Sequence, residues 1–250
     1  PLHIPLLSSA TIIINGTFNY RTFEENCQPW YKSGTILYQI TRTISIQKDT
    51  GKFLVVDSLK NVSDNTLIPD WGYHLTFYPK AGAKLILPSK KTENRGGGLL
   101  PDNITTWFPA QDEKIRTEIG VLHKKLPVFK TKIGKLYKGL VLTPGQPAIE
   151  VSFTASPYIQ TWFCNGGANS NEFTYQNGKP IFEKNWDGLG IEFGSSALDH
   201  DDNIDQTVDY DPVLKPLHTK NITILFEIIS QERTELLKSE FKEYNNKLNL

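Results

Sequence analysis

The chain has no methionine, only two cysteines, no excess of charge of either sign and no long apolar run. Each lack excludes something. Two cysteines, Cys27 and Cys164, allow at most one disulfide, so a cystine-stapled scaffold is ruled out, and both are expected to be buried thiols. The 27 basic and 27 acidic side chains cancel, which removes any global attraction to nucleic acid or to an anionic membrane. No stretch approaches the roughly 20 apolar residues that span a bilayer, so no stable membrane insertion is expected. The opening Pro-Leu-His-Ile-Pro-Leu-Leu lacks the charged start and small-residue cleavage site of a signal peptide. With proline first and methionine absent, the chain reads as a trimmed or partial product. Sequons at Asn15, Asn61, Asn103 and Asn221 are no more than a chain rich in Asn and Thr gives by chance.

What is present is strand signal. Residues 11–14 and 17–20 flank Gly16, which predicts one long strand with a bulge or bend at the glycine. Residues 35–47, alternating in their second half, lead through Asp49-Thr50-Gly51 into 52–56, a hairpin pattern. Further strands are predicted at 73–78, 84–87, 118–123, 140–143, 149–155, 158–163, 190–193 and 222–229, with Pro and Gly between them. Long loops are expected at 88–104 and 194–216, and no internal repeat is found. Only the C-terminus reads as helix. Leu237, Phe241, Tyr244 and Leu248 share one face, Ser230 is placed to cap the first turn, and Glu243 precedes Lys247 by four. Such a helix either lies on the flank of the domain or meets a copy of itself. The predicted fold is all-β, an eight-stranded jelly roll over residues 1–230 with long surface loops, followed by an amphipathic helix at 231–250.

Two blocks of charge stand out. Asp199, Asp201, Asp202, Asp205, Asp209 and Asp211 lie within 13 residues that hold no Lys or Arg. Carboxylates so placed suit a hard divalent cation such as Ca²⁺, although the spacing is not that of an EF-hand; the bland reading is a solvated acidic loop. Lys114, Arg116, Lys124, Lys125, Lys130, Lys132, Lys135 and Lys138 face only Glu118 in their stretch. They would neutralise phosphates without reading sequence, pair with the acidic loop of a neighbouring subunit, or form an ordinary lysine-guarded edge. No phosphate loop or nucleophile elbow occurs, and His200-Asp201 lies in a loop without a catalytic context. The chain therefore reads as one that assembles or binds and is not an enzyme.

The run Phe173-Thr174-Tyr175-Gln176-Asn177-Gly178-Lys179-Pro180-Ile181-Phe182, then Trp186-Asp187-Gly188-Leu189-Gly190, then Lys215-Pro216-Leu217-His218 and the strand from Ile222, resembles the late part of parvovirus capsid proteins. The early strand ending Phe18-Asn19-Tyr20-Arg21-Thr22-Phe23 is similar to the first core strand of densovirus capsid proteins. Lys179, set between Gly178 and Pro180, departs from that pattern. The resemblance implies a jelly-roll coat protein, sixty copies in an icosahedral virion, packaged single-stranded DNA, a host-cell receptor, and assembly in the nucleus. Trp107, Phe108 and Trp186 would then be interface aromatics, while Trp162 and Phe163 read as core. The rival is a Ca²⁺-dependent carbohydrate-binding sandwich, since Trp186-Asp187-Gly188-Leu189-Gly190-Ile191-Glu192-Phe193 followed by aspartates resembles the metal-site neighbourhood of leguminous lectins.

Overall fold

The computed structural model describes residues 9–19, 22–23, 29–30, 36–47, 50–97, 99–100, 105–107, 117–165, 175–176, 179–180, 188–196, 205 and 207–246. In chain order these form β1 (Ser9–Asn19), β2 (Thr22–Phe23), β3 (Pro29–Trp30), β4 (Ile36–Gln47), β5 (Lys52–Asn61) and β6 (Gly72–Phe77). There follow β7 (Lys84–Ile86), β8 (Lys91–Asn94), β9 (Thr117–Lys124), β10 (Phe129–Thr131), β11 (Gly134–Leu142) and β12 (Ala148–Thr154). The last are β13 (Tyr158–Asn165), β14 (Tyr175–Gln176), β15 (Lys179–Pro180), β16 (Gly188–Gly194), β17 (Thr219–Ile229) and α1 (Gln231–Asn246).

Two antiparallel sheets dominate. The larger has eight strands in the order β1-β4-β5-β17-β12-β11-β10, with β7 pairing off β11. The smaller has five, β6-β16-β13-β9-β8. Among the described residues no barrel closes, and eight is the strand count of one sheet, not of the whole. The β4–β5 hairpin forms as the pattern requires, with Gln47 opposite Lys52 and Gly51 at φ +60 in the turn. β1 also forms as one strand, but its register shifts between Phe18 and Asn19, past Gly16, which pairs in register with Ile40. The stretch 88–104, expected to be loop, contains β8.

The core lies between the sheets because each contributes alternate residues to it. Val55, Val151, Phe153, Ile222 and Ile224 from the large sheet meet Leu75, Val121, Ile159, Leu189, Ile191 and Phe193 from the small one. Asp57 is buried in this layer and accepts two bonds from Arg42, 2.8 and 2.6 Å, and one from the Tyr73 hydroxyl. On the other face of the large sheet α1 packs over β11, β12 and the end of β17, so the helix takes the flank. Leu237 and Phe241 pack on Leu140, Ala148 and Ile229. Buried Glu150 of β12 pins the helix by pairing with Lys138 at 2.6 Å and with Arg233 of α1 at 3.2 Å. The Ser230 hydroxyl accepts from the Arg233 amide, the cap its position suggested. Lys247 and Leu248 lie outside the described residues.

Candidate acid–base site on the outer face of the small sheet

With Tyr73, Leu75, Leu189, Ile191, Phe193, Ile159 and Val121 turned inward, strand alternation turns their neighbours outward. Register then fixes which side chains stand side by side. His74 of β6 faces Glu192 of β16, which faces Gln160 of β13, which faces Leu122 of β9. One pleat along, Trp162 stands between Gly190 and Gly120. A Cβ at Gly190 would come within 2.5 Å of the Trp162 ring and 2.4 Å of the Leu75 carbonyl oxygen, so glycine there lets the indole lie flat across the sheet. Gly194 is equally confined, by the Trp71 carbonyl oxygen at 2.5 Å.

These neighbours form a connected polar set. His74 Nε2 lies 2.7 Å from Glu192 Oε1, and Gln160 Nε2 donates to Glu192 Oε2 at 2.7 Å. The imidazole is fixed on two further sides, by the Thr76 hydroxyl 3.2 Å from Nδ1 and by stacking on Trp162 at 4.7 Å and 21°. Tyr158 stands one pleat the other way. Its phenol is pushed up to about 12, first by burial and then by the nearby Glu192 charge, with Arg95 opposing; it is a neutral donor at ordinary pH. His74 is 47% exposed and Glu192 16%, so solvent and solutes reach the pair.

Above them opens a cavity of about 130 Å³ lined by Gly72, Tyr73, His74, Tyr158, Glu192, Phe193, Gly194 and Ser196. Gly72 and Gly194, opposite each other, leave bare backbone as part of its floor. Ser196 and Ser195 both donate to Asp70, at 2.6 and 2.8 Å, which closes the rim. The arrangement places a carboxylate, an imidazole and a phenol around one small cavity. A second opening, about 280 Å³, lies beside the start of α1 and presents Lys84, Lys238, Gln146 and Gln231, with no carboxylate or imidazole in its lining.

Of the residues singled out from sequence as metal ligands, basic block or interface aromatics, those that are described fall elsewhere. Asp205 is buried and accepts from the Lys125 amide at 2.5 Å and the Thr207 hydroxyl at 2.6 Å; Asp209 pairs with Lys135 at 2.5 Å; Asp211 accepts from the Val213 amide at 2.9 Å. Asp199, His200, Asp201 and Asp202 lie outside the described residues. Among the described residues, no group of three His, Cys, Asp or Glu could hold a metal ion. In the basic block Lys124 pairs with Glu93 and Lys138 with Glu150, while Lys130 and Lys132 are exposed. Lys114 and Arg116 lie outside the described residues. Among the described residues Lys135 of the basic block pairs with Asp209 of the acidic one within the same chain. Trp107 is 6% exposed and donates to the Cys164 carbonyl at 2.8 Å inside the core. Phe108, Trp186, Cys27 and most of 173–187 lie outside the described residues.

His74, Gln160 and Tyr158 were not found from sequence, and Glu192 entered only as part of a lectin-like run. The signal was there in Gly188-Leu189-Gly190-Ile191-Glu192-Phe193-Gly194. Every outward position of β16 is glycine except the one that carries a carboxylate.

No protein-family model matches the chain, and no curated protein sequence matches it significantly. Solved structures do. A candidate aldose 1-epimerase from Klebsiella pneumoniae aligns over 94% of this chain with a TM-score of 0.55 at 14% identity. The Slr1438 protein of Synechocystis aligns over 89% with a TM-score of 0.50 at 12% identity. The chain spans 55% of the first and 62% of the second. At such identity the likeness is one of fold.

The likeness overturns the coat-protein reading: the described strands form an open two-sheet sandwich shared with bacterial chains, one of them a candidate enzyme, and not with parvovirus capsids. With it go the sixty-copy shell, the packaged DNA, the host receptor and the virion location. The expectation of a chain without catalysis is corrected by the same finding. The carbohydrate-binding sandwich, the rival reading, stands closer.

Proposed function

We propose that the protein binds a free aldose on the outer face of the small sheet and interconverts its anomers. The observation that carries this reading is the His74–Glu192 pair set over a glycine-floored cavity and reachable from solvent. The sandwich fold supports it, since a chain of like architecture is a candidate aldose 1-epimerase. We read residues 1–230 and the helix at 231–250 as a single domain of this sandwich type, in place of the jelly-roll refinement.

The chemistry needs one base and one acid on neighbouring oxygens. Anomers interconvert when the C1 hydroxyl loses its proton, the C1–O5 ring bond breaks to leave a C1 carbonyl, and O5 gains a proton. Both oxygens are bonded to C1, so the groups serving them must themselves be neighbours, as His74 and Glu192 are. Glu192 takes the hydroxyl proton and His74, protonated, gives one to O5. Rotation about C1–C2 and reversal of the same steps close the ring with the other configuration. Atoms and charge balance without a cofactor. Tyr158 and Ser196 are placed to donate to or accept from sugar hydroxyls.

The test is the rate at which freshly dissolved α-D-glucose and α-D-galactose reach anomeric equilibrium, followed by polarimetry. Catalytic acceleration is expected with the wild-type chain, and His74→Ala or Glu192→Gln should each lower it by about 10²- to 10⁴-fold. No acceleration across a panel of aldoses would defeat the reading.

A further inference from the structure

Gln160 carries a polar side chain that the fold itself gives no reason to keep. It is 1% exposed, on a sheet position flanked by Leu122 and Glu192, where a leucine or methionine would pack without cost. One end of its amide is used: Nε2 donates to Glu192 Oε2. The other is not, for among the described residues the buried Oε1 has no hydrogen-bond partner, lying over Gly120 at 3.2 Å from where a Cβ would stand. A buried acceptor without a partner weakens the folded state, so the group is retained for its one bond.

That bond is aimed at the catalytic carboxylate of the reading above, on which this inference rests. Glu192 has two oxygens, and each meets a different neighbour: Oε2 the Gln160 amide, Oε1 the His74 imidazole at the cavity wall. With Oε2 held from the sheet side, rotation of the carboxylate is checked and Oε1 is kept beside the acid. Gly120 and Gly190 leave the space in which Gln160 and Trp162 lie on the sheet. We propose that Gln160 is the positioning residue for Glu192, fixing which carboxylate oxygen receives the substrate proton. The charged and titratable groups around that carboxylate are His74 of β6, Tyr158 of β13, whose hydroxyl also bonds the Glu192 side chain, and, beyond Tyr158, Arg95; the Gln160 amide is the neutral donor to Oε2.

The position separates catalysis from stability, which a structural residue would not do. Gln160→Met keeps the volume and removes the donor. It is expected to lower kcat about 10- to 100-fold, the cost of a displaced catalytic group, with KM held within about twofold. Its thermal midpoint should stay close to that of wild type, because the lost bond to Glu192 is offset by removal of the buried unpartnered acceptor. If the methionine variant fails to fold, Gln160→Leu supplies the same comparison, since it too lacks the donor. A kcat within twofold of wild type, or a loss of activity that only parallels a loss of stability, would overturn the assignment. A readout without turnover separates this claim from the proposed activity. In a ¹⁵N spectrum the Gln160 side-chain amide protons should exchange slowly in wild type and lose that protection in Glu192→Ala. Should wild type prove inactive and that protection still depend on Glu192, the epimerase reading falls and the positioning bond stands. Should protection persist in Glu192→Ala, the positioning claim falls.

Discussion

Glu192 shows how much a single position depends on what surrounds it. On its own it is one acidic residue among 27 Asp and Glu. Placed between His74 and Gln160 on the outer face, with glycine before and after it in the pleat, it becomes the hub of the site. His123 shows the opposite case, a titratable group shut in the core. Its Nε2 lies 2.8 Å from the Thr161 hydroxyl, Nδ1 has no partner, and burial pulls its pKa down to about 3. The unfolded chain protonates this histidine near its ordinary value of about 6.5, the folded chain only near 3, so between these the unfolded state binds more protons. Stability contributed by His123 is therefore whole above about pH 6.5 and is lost as pH falls toward 3, at about 1 kcal/mol per pH unit. Asp205 acts in the same direction but lower. Burial pushes its pKa up, yet bonds from the Lys125 amide and from Thr207 outweigh this and hold it below the usual carboxylate range. Urea midpoints measured from pH 7 to 4 should fall steadily, and His123→Gln should flatten that slope; an unchanged slope would acquit His123. Neither the burial of His123 nor the contact of His74 with Glu192 could be read from sequence, because each depends on partners about 40 to 120 residues away.

At the level of elements, the sequence was more legible. The hairpin β4–β5, the strands β6, β9, β12, β13 and β17, and the capped helix α1 all lie where alternation, turn residues and helical spacing put them. Those signals are local, so one chain displays them. What alternation could not say was which face of the small sheet would be functional, since β13 is buried at seven of its eight positions and both its faces read as core. Trp162 was accordingly taken for core, and it is indeed 2% exposed, but it lies on the outer face beneath His74. The glycines of β16 mark that face. Gly190→Ala should cost about 1–3 kcal/mol by overpacking against Trp162 and Leu75, and should shift the near-ultraviolet dichroism of the indole. On the opposite flank, Leu237 is fully buried between α1 and the large sheet. Leu237→Ala should destabilise by about 2–5 kcal/mol in urea titration, with sugar binding at the distant site unchanged in the chains that remain folded.

For the whole molecule, the neutral charge balance is matched by ion pairs within the chain. Lys124, Lys135 and Lys138 each find a carboxylate in the same sandwich. The charge blocks that suggested packaged DNA and contacts between subunits were read along the sequence, and folding brings opposite signs together that the sequence holds apart. The motif resemblance to coat proteins failed for a related reason. Gly-Pro-aromatic turns and a proline-led final strand are features of antiparallel sandwiches in general, and strand order, which distinguishes among them, depends on long-range pairing.

The central claim is that the outer face of the small sheet turns over a sugar through Glu192. The most direct measurement is the exchange of α and β anomeric protons of an aldose at equilibrium, by two-dimensional NMR, with wild-type and Glu192→Gln chains compared at equal concentration. Exchange cross-peaks should grow with wild-type concentration and vanish in the variant, while its near-ultraviolet spectrum stays native. Exchange that is the same with both chains, or the same as in buffer alone, would contradict the claim.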